Sequence, residues 1–151
     1  MDNTEIYIPS EIKELIKGQN YEIDQVGLSG CTVVKLDDMV LKIGEANKAF
    51  HNEVCAMQWL DGKLPVPKVI YHAEEGGKGY LLMSKVSGLM GCDRYYLERP
   101  DELKILLADT LKLLWSIDIS GCPTHQSLDD DLRRAGDNVL RGMVDFEDVD
   151  K

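Results

Sequence analysis

Residues 27–43 read Gly27-Leu28-Ser29-Gly30-Cys31-Thr32-Val33-Val34-Lys35-Leu36-Asp37-Asp38-Met39-Val40-Leu41-Lys42-Ile43, and the fold is decided here. Thr32–Leu36 and Met39–Ile43 are short β-type runs. Asp37-Asp38 between them is a turn of hairpin length. A third run, Tyr21–Val26, leads into Gly27-Leu28-Ser29-Gly30. Such a turn can bring backbone N–H groups and a Ser hydroxyl close to phosphate oxygens, or it can be a turn that merely needs Gly. Lys42 stands inside an apolar strand. A Lys there either snorkels outward or serves as a placed cation for phosphates.

Working outward, Ala46–Leu60 reads as a helix, with Phe50, Val54, Met57 and Leu60 at helical spacing and Asp61-Gly62 as its stop. Glu53 lies on it, placed either to pair with Lys42 or to face solvent. Upstream, Ser10–Lys17 reads as a short helix with Ser10 as cap. Downstream, Val66–Tyr71 and Tyr80–Val86 read as strands around a glycine-rich turn at Glu74–Gly79. Leu89–Arg99 reads as irregular. Pro100–Ile119 is the strongest helical pattern, with Leu103, Leu107, Leu111 and Leu114 along one face. Ser127–Met143 reads as a last helix capped by Ser127. Strands first and helices second predict an α+β fold, a five-stranded antiparallel sheet lobe followed by a helical lobe. The joint falls near Ser84–Gly88, dividing the chain into residues 1–86 and 87–151.

Composition narrows the classes. The 151 residues carry 17 Lys+Arg against 27 Asp+Glu, a formal net charge of -10, which argues against a nucleic-acid partner and suits a cationic small molecule. No apolar run approaches the ~20 residues that cross a bilayer, so no membrane partner is expected. Met1–Glu5 is acidic and polar, unlike a secretory leader, so a cytoplasmic setting is the expectation. Cys31, Cys55, Cys92 and Cys122 lack metal-ligand spacing and read as reduced thiols. There is no G-x-x-x-x-G-K-S/T and no G-x-G-x-x-G, which removes the P-loop and the dinucleotide fingerprint. Ser29 misses the G-x-S-x-G elbow by one place, and no Ser/His/Asp hydrolase is expected.

A covering turn, a strand Lys, a helix Glu and a linker together match the small lobe of a kinase. At the level of whole words the chain resembles the aminoglycoside 3'-phosphotransferases, which share the protein-kinase-like fold. The words are residues 27–33, Val40-Leu41-Lys42, Trp59-Leu60-Asp61-Gly62-Lys63-Leu64-Pro65-Val66-Pro67-Lys68-Val69, Leu81-Leu82-Met83-Ser84 and Ser116-Ile117-Asp118-Ile119-Ser120-Gly121-Cys122-Pro123. The resemblance implies ATP with Mg²⁺ as cofactor and a cationic aminoglycoside as phosphoryl acceptor. It implies that Lys42 contacts the α/β-phosphates and that Glu53 pairs with it. Gly27, Ser29 and Gly30 would approach the β/γ-phosphates. Met83 would back the adenine pocket, and the backbones of Ser84 and Val86 would hydrogen-bond adenine. Val40 stands where relatives often have an aromatic, which loses ring stacking but keeps an apolar wall.

The family's catalytic loop, H-x-D-x-x-x-x-N, and its metal-binding Asp lie downstream of the acidic tail. The 151 residues contain neither, because His51, His72 and His125 are followed by Asn-Glu, Ala-Glu and Gln-Ser. The resemblance therefore implies a truncated phosphotransferase, inactive alone, with no catalytic or metal-binding residue in this chain. The alternatives are a non-catalytic nucleotide-binding module, or a kinase-like enzyme half acting on another small molecule. An exposed apolar face on the 100–119 helix would favour self-association.

Overall fold

The computed structural model describes residues 6–24, 30–124 and 128–143. Their order is α1 (Ser10–Leu15), β1 (Tyr21–Asp24), β2 (Thr32–Leu36), β3 (Met39–Glu45), α2 (Lys48–Leu60), β4 (Val69–Glu75), β5 (Lys78–Ser84), α3 (Arg94–Leu97), α4 (Pro100–Trp115) and α5 (Leu128–Leu140). The five strands form one antiparallel sheet in the order β1-β2-β3-β5-β4. That is the α+β architecture expected from the sequence.

Strand alternation gives the sheet two apolar faces. Met39, Leu41 and Ile43 of β3 join Tyr80 and Leu82 of β5, Val34 and Leu36 of β2, and Ile12 of α1 in one cluster. The intervening positions face α2, where Leu81 packs with Phe50 and Val54, and Met57, Val69 and Met83 close the cluster. Ile12, Leu41, Leu81 and Leu82 have no accessible surface. Each contributes about 1.5–3 kcal/mol relative to an exposed side chain. Lys42 therefore stands on the α2 face, opposite Leu81 on one side and Val33 on the other.

Several boundaries differ from the sequence expectation. Pro9, not Ser10, caps α1, and no side chain bonds the cap. α2 begins at Lys48 because Asn47 takes the cap, its Oδ1 accepting from the N–H groups of Ala49 (2.9 Å) and Phe50 (3.1 Å). β4 starts at Val69, after Pro65 and Pro67, which cannot donate to a ladder. The turn to β5 is only Gly76-Gly77, with φ of 58° and 76°, so the strands run on to Glu75 and Lys78. Two left-handed residues suit a tight hairpin, and glycine adopts them at no steric cost. The 89–99 stretch holds a four-residue helix, α3, capped by Asp93. α4 stops at Trp115, because Asp118 accepts from the Ser120 N–H (2.9 Å) and hydroxyl (2.7 Å) and folds the next residues into a turn. These two bonds also hold the Asp118 carboxyl below its ordinary pKa. The expected cap at Ser127 lies outside the described residues.

α4 and α5 bury none of their residues. Leu107, Leu111 and Leu114 are each about half exposed, and Trp115 and Leu140 more so. Among the described residues, no helix is long and apolar enough to cross a membrane.

Candidate nucleotide site

The site is built on the α2 face of β3. The ladder fixes Lys42 there, and α2 crosses the sheet with Glu53 one turn after its buried anchor Phe50. Lys42 Nζ donates to both Glu53 carboxylate oxygens, each at 2.7 Å. The side chains are 26% and 35% exposed, so the pair is neither dry nor freely solvated. Of the two readings of Glu53, the structure shows the paired one. Lys42 does not snorkel away, and Glu53 does not face outward alone.

A recess of about 240 Å³ opens beside the pair, lined by Cys31, Gly44, Asn47 and Phe50 as well as Lys42 and Glu53. A larger recess of about 530 Å³ shares Cys31, Gly44 and Asn47 with it and reaches Gly30, but neither Lys42 nor Glu53 lines it. Gly30 has φ of 70°, a left-handed conformation that favours glycine as the chain re-enters β2. Gly27 and Ser29 lie outside the described residues.

On the same face, Val40 stands opposite Met83; Met39, on the other face, stands opposite Ser84. Met83 packs against the Phe50, Val54 and Leu81 cluster. The Ser84 N–H already donates to the Lys68 carbonyl (2.9 Å), and its hydroxyl accepts from the Lys68 N–H (2.8 Å). The expectation that the Ser84 backbone addresses a purine is thereby narrowed to its carbonyl. Lys85 was missed by sequence reasoning. Its N–H donates to Asp38 O and its Nζ to Leu36 O, both at 2.9 Å, tying the segment after β5 to the β2–β3 turn. Val86 follows, exposed. Asn47 and Gly44 were also missed, although both carried a signal. An Asn directly before an apolar helical pattern is a cap, and a Gly inside a strand marks a close approach.

Among the described residues, no three His, Cys, Asp or Glu side chains cluster to hold a metal ion. The Lys42 ammonium is a donor that suits phosphate oxygens.

The chain has similar counterparts among known proteins. Over 148 residues the chain is 33% identical to an aminoglycoside 3'-phosphotransferase of Niallia circulans, covering 93% of this chain and 56% of that one. Over 152 residues it is 36% identical to one of Staphylococcus aureus, covering 95% and 57%. This chain is a relative of the aminoglycoside 3'-phosphotransferases. It spans about half the length of the curated phosphotransferases it matches. Two solved structures share the fold at 22% identity. An aminoglycoside phosphotransferase of Streptomyces rimosus superposes with a TM-score of 0.68 over 89% of this chain and 50% of its own. An aminoglycoside-3'-phosphotransferase of type VIII does so at 0.69 over 91% and 53%. No protein-family model matches the chain.

Proposed function

We propose that the sheet lobe, residues 1–86, binds ATP with its Mg²⁺, and that residues 87–151 begin a substrate-binding helical lobe. In a complete phosphotransferase the two would serve transfer of the γ-phosphate to an aminoglycoside hydroxyl. The observation that carries this reading is the Lys42–Glu53 pair, with both carboxylate oxygens on one ammonium at 2.7 Å. Glu53 holds the Lys42 ammonium at the recess, where its charge can meet α/β-phosphate oxygens. The resemblance assigns Gly27, Ser29 and Gly30 to the β/γ-phosphates. Val40 and Met83 make an apolar wall for adenine, with the Ser84 carbonyl and the Val86 backbone at its edge. Mg²⁺ arrives on the nucleotide's phosphates, and no residue here is assigned to it. The acidic balance of the chain suits a polycationic acceptor.

Titrating the purified chain with a fluorescent ATP analogue plus Mg²⁺ tests the nucleotide reading. Saturable binding that K42M weakens at least tenfold supports it, and equal binding by both proteins contradicts it. A second reading is a nucleotide-binding module without chemistry. It expects no ATP-dependent phosphorylation of kanamycin by the chain. Robust turnover would exclude it.

A further inference from the structure

Gly44 of β3 and Gly79 of β5 face each other across the ladder. Neither has the positive φ that makes glycine necessary at Gly76 or Gly77. Glycine weakens a strand interior, so a facing pair points to a close approach from above the sheet. Both approaches are present. A Cβ on Gly79 would stand 2.7–2.8 Å from three ring atoms of Phe50, and one on Gly44 would stand 2.9 Å from Cys31 Sγ.

The Phe50 ring has little room to retreat. It is buried and packed with Val54 and Leu81. His51 meets it edge-on and is held by Glu74 at 2.6 Å. Its backbone N–H is fixed by Asn47. A methyl group on Gly79 would have to lift the ring by at least about 0.7 Å to reach ordinary contact. Lifting Phe50 lifts α2, and Glu53 sits on the next residues of that helix. The thiol over Gly44 is a shorter group that can rotate aside, so Gly79 is the more demanding of the two.

We propose that the Gly44–Gly79 pair sets the height of α2 above the sheet, and that Gly79 is a positioning residue for the Lys42–Glu53 pair. The functional part of this inference rests on the nucleotide reading above. G79A should raise the dissociation constant for a fluorescent ATP analogue with Mg²⁺ about tenfold, the scale expected when a placed group shifts by a fraction of an ångström. In an F50L background, where the ring is gone, the same glycine-to-alanine change should cost less than twofold. If G79A fails to fold, the comparison of F50L/G79A with F50L carries the test.

A second readout does not need nucleotide. Denaturant midpoints of K42M, E53Q and K42M/E53Q give the coupling between the two side chains. That coupling should be present in the wild-type background, absent with G79A and restored with F50L/G79A. Binding by G79A equal to wild type, a loss that persists in the F50L background, or coupling unchanged by G79A would overturn the inference. Absence of nucleotide binding by the unmodified chain would instead overturn the nucleotide reading, and the coupling cycle would still decide the positioning role.

Discussion

Glu53→Gln is the sharpest single perturbation of the site. It keeps the shape and the apolar stem of the side chain and removes only the charge facing Lys42. The native pair has two contacts of 2.7 Å and side chains 26% and 35% exposed. Fully exposed pairs contribute about 0.2–1 kcal/mol, and hydrogen bonds to charged groups about 1.5–3 kcal/mol. A partly buried bidentate pair belongs between them, so E53Q should cost about 1 kcal/mol of stability by denaturant unfolding. The effect on nucleotide should be larger than that stability loss alone would suggest. A Lys released from its partner regains about 1.5–2 kcal/mol of rotamer freedom, which must be lost again on meeting a phosphate. At 1.4 kcal/mol per decade, nucleotide affinity should fall about tenfold. The two quantities are read by unfolding and by fluorescence titration of the same preparation. If stability falls and affinity does not, the pair is structural and the reasoning about Lys42 fails. If neither changes, the pair does not form in solution.

Three further outcomes follow from individual contacts. V40Y should tighten binding of an adenine nucleotide about tenfold in titration, since base–aromatic stacking contributes about 1–3 kcal/mol and Val40 lies opposite Met83 on the proposed adenine wall. N47A should lower the stability by about 1 kcal/mol in denaturant unfolding, because the Ala49 and Phe50 N–H groups lose their acceptor. Tyr80 is 2% exposed, and its burial, then the charge of Glu75, raise its pKa above 10.0. The folded state thus holds that proton more tightly than the unfolded state. The contribution is complete below about pH 10 and is lost as pH rises through the folded pKa. Y80F should flatten the alkaline limb of a stability-versus-pH curve, and an unchanged limb would assign the loss to other groups.

The parts of this fold that were legible in the sequence are those where one local rule acts unopposed. β2 runs over Thr32–Leu36 as the alternation predicts, because its central residues Val33, Val34 and Lys35 are paired on both sides. The Lys42–Glu53 pairing was legible only as a combination, since each residue alone has an ordinary surface reading. The errors fall where two rules compete. Apolar periodicity carries α4 to Ile119, but the Asp118 side chain captures the Ser120 N–H and ends the helix at Trp115. The 66–71 stretch is apolar enough for a strand, but its prolines delay the ladder to Val69. Gly44 and Gly79 read as weak strand residues, and the reason for them appears only when Phe50 and Cys31 are seen above them. Lys85 had no legible role, because its acceptors are backbone carbonyls 48 and 49 residues away in sequence.

Hydrogen–deuterium exchange of the purified chain, with and without ATP and Mg²⁺, tests the central claim most directly. The account predicts slowed exchange in three places together: β3 around Lys42, the first turns of α2 up to Glu53, and residues 83–86. No change on adding nucleotide, or protection confined to α4 and α5, would contradict it.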